Sequence, residues 1–229
     1  MGVRSQSYER NQILEIEWSS GRKKRVREVV RRSNARVTGK YPSIKDEEVK
    51  QWESPLELNQ MYRLDADPDV ISYFEQPVIL RYVLDGCVHK HIPDLVVKRS
   101  TGLIFQEIKT DEDAMNSDIK LRSNFMANHL PLLGYRYEVI VESEIFEEPY
   151  LTNIKYLLRH GRLYRSFLFG GGKIVKSIEE AGYVLWKDIC SGEFGDTGKN
   201  TICGLILDGR LTFDKYELLS DETKIMVNS

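Results

Sequence analysis

The segment HIPDLVVKRSTGLIFQEIK, residues 91–109, reads as a strand, a tight turn and a second strand. Leu95-Val96-Val97 and Leu103-Ile104-Phe105 are β-branched or bulky apolar runs, and Arg99-Ser100-Thr101-Gly102 between them has turn composition. If 99–102 is a simple four-residue turn, residues whose numbers sum to 201 lie opposite each other, which pairs Asp94 with Glu107. Opposed residues hold their Cβ atoms about 4.5–5.5 Å apart. Two carboxylates that close repel unless something cationic lies between them. A divalent ion such as Mg²⁺ or Mn²⁺, with its preference for oxygen, suits that place. Lys109, two residues beyond Glu107, emerges on the same face, where it can orient or help deprotonate an attacking water. The carbonyl of Ile108 is a further candidate ligand.

Upstream, Glu53-Ser54-Pro55-Leu56-Glu57 opens a helix. Ser54 suits the cap, Pro55 the first helical position, and Glu57 the reciprocal capping position. Glu57 also supplies a third carboxylate to the group. Each residue has a plainer meaning: a capping glutamate, a turn-adjacent aspartate, a surface lysine. Their combination matches phosphodiester hydrolysis, in which an activated water attacks and charge builds on phosphorus. Metal ions serve both needs, and a lysine adds positive charge where the transition state has most use for it.

Working outward, Leu56, Met61 and Leu64 give a helical stripe ending near Asp65 or Asp67. Strands are expected over 70–76, 78–84, 88–98 and 103–109, with Asp85-Gly86 as a hairpin turn. A helix over 118–129 and a strand over 137–142 complete an α/β core of helix, antiparallel meander, helix and strand. The expected domains are a basic arm (1–50), that core (51–145) and a small C-terminal helical, winged-helix-like domain (146–229). In the last, Trp186-Lys187-Asp188-Ile189 begins one helix, 200–207 forms a second, and Asp208-Gly209 precedes a strand over 210–213. The second helix is apolar and almost uncharged. It is therefore poor material for base contacts and reads as a surface that docks a partner protein. Gly170-Gly171-Gly172 lacks the spacing of a phosphate loop and reads as a flexible turn. His89 and His91 alternate on the expected 88–98 strand, so parity puts both opposite Asp94. A two-histidine zinc site there lacks further ligands.

Composition sets the class. With 229 residues, 41% hydrophobic and 30% charged, the chain is of globular type. No apolar run approaches the roughly 18–20 residues of a membrane span, and MGVRSQSYERNQ has no apolar secretory core. Three cysteines (Cys87, Cys190, Cys203) without a paired spacing argue against disulfides and structural zinc, and fit a reducing cytoplasm. The net charge of −2 excludes a simple polycation. Yet nine basic residues stand between Gly21 and Lys40 against one acid, Glu28. That run reads as a solvated arm or one that tracks phosphates.

The ordered motifs Trp52–Glu57, Asp67-Pro68-Asp69-Val70, Glu75-Gln76-Pro77, His91–Asp94 and Glu107-Ile108-Lys109 resemble the TnsA-type endonuclease subunit of heteromeric transposases. That group lies within the PD-(D/E)XK family, and the likeness covers roughly residues 27–142. It implies a restriction-endonuclease-like fold and metal-dependent cutting of double-stranded DNA at the 5′ ends of a transposon. A partner DDE-type transposase would cut the 3′ ends, and the C-terminal region would contact an AAA+ ATPase regulator. The implied catalytic residues are Glu57, Asp94, Glu107 and Lys109, with Glu57, Asp94, Glu107 and the Ile108 carbonyl as metal ligands. Glu53 would be a supporting acid and Gln76 a site-supporting residue. A free-standing restriction or repair nuclease, and an inactive adaptor keeping the fold to bind DNA or a partner, are the alternatives.

Overall fold

A computed structural model describes residues 10–19, 25–26, 37–46, 48–164 and 171–228. Of the basic run only Arg25 and Lys40 fall within them; Arg22, Lys23, Lys24, Arg27, Arg31, Arg32 and Arg36 lie outside. The architecture is mixed α/β, with several small sheets and eight α-helices among the described residues. None of those helices is long and apolar enough to cross a membrane. The chain forms two compact units. One holds the described residues up to Pro42, with Val49–Glu57 and Ile71–Glu144; the other holds Ser43–Glu48, Leu58–Val70 and the chain from Ile145.

The first unit begins with β1 (Gln12–Trp18), then the antiparallel pair β2 (Gly39–Pro42) and β3 (Val49–Trp52). Helix α1 (Pro55–Ala66) starts here, where the capping signal put it, and from Leu58 onward belongs to the second unit. After it come β4 (Val70–Glu75), β5 (Val78–Leu84), β6 (Cys87–His91), β7 (Leu95–Arg99) and β8 (Gly102–Lys109). Then follow α2 (Asp111–Met115), α3 (Ser117–His129), β9 (Arg136–Val141) and α4 (Glu142–Ile145). The β5–β6 turn is made by Asp85 and Gly86, at φ 51° and 76°, both left-handed as a two-residue hairpin of this twist requires.

The single strand expected over 88–98 is two strands in two sheets. β6 pairs with β5, whereas β7 pairs with β8. Ile92-Pro93 separates them, and proline has no N–H with which to continue a ladder. The sheets run β1-β5-β6 and β4-β7-β8-β9, so the expected continuous meander is instead two hairpins in separate sheets. β1 came from a stretch expected to be part of a polar arm. Ile13 and Ile16, three positions apart across a register shift, nevertheless pack on the core. β8 lies between β7 and parallel β9, and Ile104 to Ile108 are buried without alternation, as a strand covered on both faces must be. Phe105, Phe125, Met126, Leu130 and Tyr137 fill the core with Val78, Leu80 and Tyr82.

The second unit contains α5 (Tyr150–Gly161), α6 (Gly171–Ala181), α7 (Trp186–Cys190) and α8 (Gly198–Leu207). Its short strands β10 (Val184–Leu185), β11 (Leu211–Thr212) and β12 (Lys224–Val227) form a sheet ordered β10-β12-β11. Gly171 and Gly172 open α6 rather than a flexible turn; Gly170 lies outside the described residues. Ile202 through Leu207 of α8 are all buried in this unit's core, beside Leu157, Leu158 and Ile178. The apolarity taken as a docking face is core packing.

Gly161 sets how closely α5 meets α8. A Cβ there would lie 2.6 Å from both Cys203 C and Gly204 N, which are backbone atoms with no side-chain freedom to yield. Gly161→Ala is therefore expected to destabilise the protein by about 1–3 kcal/mol through overpacking. Urea unfolding measures this, and a variant as stable as wild type would overturn the close approach.

Candidate active site

The register on which the site depends is the one expected. Leu95 faces Gln106 and Arg99 faces Gly102, so every pair in the β7–β8 ladder sums to 201. Asp94 lies one residue before the first pair, across from Glu107. Its carboxylate turns onto β8, where Oδ2 accepts the Ile108 N–H at 2.7 Å. Its backbone is fixed from another direction, because the Gln76 N–H donates to the Asp94 carbonyl at 2.9 Å. Gln76 sits at φ 45°, a left-handed conformation that non-glycine residues hold only when their surroundings impose it. Its own carbonyl accepts from Val26 N–H at 2.9 Å.

Lys109 lies between the two acids. Its Nζ is 2.7 Å from Glu107 Oε1 and 3.8 Å from Asp94 Oδ2, and it also donates to the Ile108 carbonyl at 3.1 Å. Asp94, Glu107 and Lys109 thus share one side of the hairpin. Burial, with Glu107 opposite, pushes the Asp94 carboxyl up to about 6. Low-dielectric repulsion between the acids is therefore present, and an ammonium partly offsets it.

Glu57 makes the helix cap that the sequence allowed. Ser54 Oγ accepts the Glu57 N–H at 3.2 Å, and Glu57 Oε2 accepts the Glu53 N–H at 2.8 Å, a capping box displaced by one residue. Burial also raises its carboxyl to about 7, and Asp94 and Glu53 add to the rise. Glu57 therefore stands in the same acidic field as Asp94. Among the described residues, however, no three His, Cys, Asp or Glu side chains are gathered closely enough to hold one metal ion. Two acids and one ammonium converge, while the third acid spends one carboxylate oxygen on its cap.

Two further charged or polar groups were missed. Arg122, on α3, donates to Glu107 Oε1 at 3.0 Å, so two cations share one carboxylate oxygen. No local motif marks an arginine thirteen positions beyond Lys109, which reaches the site only because α3 crosses from β8 to β9. His91 is the second. Parity placed it away from Asp94, yet its Nε2 lies 3.4 Å from Glu107 Oε2. The break at Pro93 resets the alternation. Burial, with Arg122 and Lys109 nearby, depresses His91 to about 3, so its imidazole is neutral at ordinary pH. His89 faces elsewhere and stacks on Tyr82.

No family model and no curated protein matches the chain.

The donor set itself is the test of a metal. Glu107 Oε2 is buried and has no hydrogen-bond partner among the described residues. A buried carboxylate oxygen left without a donor is costly, and coordinating a cation removes that cost. Asp94, Glu107 and the Ile108 carbonyl are hard oxygen donors, which suit Mg²⁺ or Mn²⁺. A divalent ion would take over the charge compensation that Lys109 and Arg122 provide here.

Proposed function

We propose that the chain is a metal-dependent DNA endonuclease, the TnsA-like subunit of a heteromeric transposase that cuts the 5′ ends of a transposon in the cytoplasm. In this reading the first unit is a restriction-endonuclease-like domain and the second a winged-helix-like module that binds partner proteins. The observation that carries the proposal is a lysine ammonium bracketed by two acids, Glu107 buried and Asp94 half-buried, across a strand hairpin. Asp94, Glu107 and the Ile108 carbonyl would hold Mg²⁺ or Mn²⁺, with Glu57 supporting from α1. The ion, when bound, supplies a water of lowered pKa and neutralises charge on the phosphate oxygens. Lys109 orients that water and meets developing negative charge. Arg122 adds a fixed guanidinium whose fork matches phosphate geometry. Gln76 holds the Asp94 backbone in place.

The direct test is cleavage of double-stranded DNA carrying the transposon ends, with Mg²⁺ and the partner DDE transposase present. Wild type is expected to nick the 5′ ends and Glu107→Ala to lose at least about 10²-fold of that rate. Equal cutting by Glu107→Ala would end the assignment, and robust cutting without the transposase would point to a free-standing nuclease. One observation favours a different reading, an inactive adaptor: the three acids are not drawn into a single metal-holding group. Calorimetry with Mn²⁺ separates the two, since an adaptor of this kind shows no binding heat.

A further inference from the structure

Residues 25 and 26 are docked against the candidate site by two short routes that end on different acids. Through its side chain, Arg25 donates from Nη2 to Glu53 Oε1 at 2.9 Å. The Glu53 N–H in turn donates to Glu57 Oε2 at 2.8 Å. Through the backbone, the Val26 N–H donates to the Gln76 carbonyl, and the Gln76 N–H to the Asp94 carbonyl, both at 2.9 Å. One dipeptide, distant in sequence from both acids, therefore reaches Glu57 and Asp94 together.

The basic run was expected to meet solvent or phosphate, and Arg25 meets neither. Its side chain is only 10% exposed, that of Glu53 16%, and its Nε and Nη1 are buried. A guanidinium closed in this way has no open fork to offer a phosphate. Its charge serves Glu53 instead. That carboxylate is not isolated: it adds to the field that raises both Glu57 and Asp94, while Arg25 opposes the rise at Glu57. Without the guanidinium, Glu53 would be a largely buried carboxylate that has lost its cation beside two other acids, which is costly to keep. Relief is expected to move residue 53, and with it the N–H that holds Glu57. The second route carries no charge and fixes backbone. Gln76 stays left-handed at φ 45° with its N–H on Asp94 and its carbonyl on Val26, a conformation that persists only where neighbours impose it.

We propose that Arg25-Val26 is a latch that positions Glu57 and Asp94, through Glu53 on one side and Gln76 on the other. Arg25 is then a positioning residue, neither a phosphate contact nor a catalytic group. What the latch does for metal binding and cleavage rests on the nuclease reading; its hold on the two acids does not.

Amide hydrogen exchange, followed by NMR in the full-length, metal-free protein, tests that hold directly. Three N–H groups report it: Glu53 onto Glu57, Gln76 onto the Asp94 carbonyl, and Ile108 onto Asp94 Oδ2. Arg25→Gln is expected to speed exchange at these three by on the order of tenfold, while the β5–β6 ladder keeps its protection. Equal acceleration at both, or none at the three, overturns the latch. In calorimetry the variant should bind Mn²⁺ about 10–100-fold more weakly, and Arg25→Lys should lose less because it keeps the charge without the fork. Duplex binding without divalent ion should match wild type in affinity and salt dependence. A log–log salt slope reduced by about one would make Arg25 a phosphate contact and overturn the proposal. Should Arg25→Gln not fold, Val26→Pro, which removes the N–H given to Gln76, is expected to speed exchange at Gln76 and Ile108; wild-type protection there overturns the latch as well. Amides loosened by Arg25→Gln in a protein whose wild type binds no Mn²⁺ and cuts no DNA leave the latch standing and sink the nuclease reading. Mn²⁺ binding and cutting as strong in Arg25→Gln as in wild type do the reverse.

Discussion

Asp94→Asn is expected to abolish metal-dependent strand cleavage, lowering the rate by about 10³-fold, while leaving the fold intact. Asparagine keeps an oxygen that can accept the Ile108 N–H, the 2.7 Å bond that anchors this side chain. What it loses is the negative charge that, with that of Glu107, would draw a hard cation to the hairpin. Lys109→Met removes the opposite charge and should cost about 10²–10³-fold, because the ammonium bridging both acids is the group best placed for developing negative charge. Single-turnover nicking of transposon-end DNA in Mg²⁺ measures both. Asp94→Asn cutting within a few-fold of wild type would remove the aspartate from the mechanism, whatever the protein then proved to do.

The second large effect is on stability, and its sign is unusual. Carboxylates in a folded protein more often have depressed pKa values and stabilise it as pH rises. Here burial, helped by Glu107 beside Asp94 and by Asp94 and Glu53 near Glu57, raises Asp94 from 3.8 to about 6 and Glu57 from 4.5 to about 7. The folded site therefore holds protons that the unfolded chain has already released. This contribution favours folding below about pH 4 and is lost as pH climbs through 6 and 7, so the two acids destabilise the metal-free fold at pH 8. Asp94→Asn should then melt higher than wild type at pH 8, with the gain disappearing near pH 4. Each kcal/mol corresponds to about 2–4 °C in a chain of this size. Lys109→Met should shift the other way at pH 8, since it leaves both acids without their shared ammonium. Mn²⁺ should raise the wild-type melting temperature strongly at pH 8, weakly at pH 5, and hardly at all in Asp94→Asn. Thermal scans across pH with and without Mn²⁺ check this, and an Asp94→Asn protein less stable than wild type at pH 8 would contradict it.

The two predictions address different properties. Stability without added metal tests whether burial and like charge raise the acids, and cleavage tests whether an ion bound there does chemistry. An inactive adaptor could pass the first and fail the second.

How far the sequence reached can be read from single elements. The β7–β8 register followed from one turn, Arg99–Gly102, because strand pairing on either side of a tight turn leaves little freedom. The start of α1 followed from Ser54, Pro55 and Glu57, whose capping interactions span only a few residues. The β5–β6 hairpin followed from Asp85-Gly86. The strand over 88–98 failed because periodicity alone does not register a missing N–H at Pro93, and His91 was misplaced with it. The apolar α8 was misread as a surface because composition does not distinguish a helix that is covered by a partner from one covered by its own chain.

Local chemistry therefore determined the start of α1, two hairpin turns and, through one of them, which acids share a face with Lys109. The folded molecule alone decided who joins them: Arg122 from α3 and His91 from the next sheet. Turns and caps act over a few residues and are written in order along the chain. Neighbours brought in from distant elements depend on strand order and crossover, which no short stretch of sequence encodes.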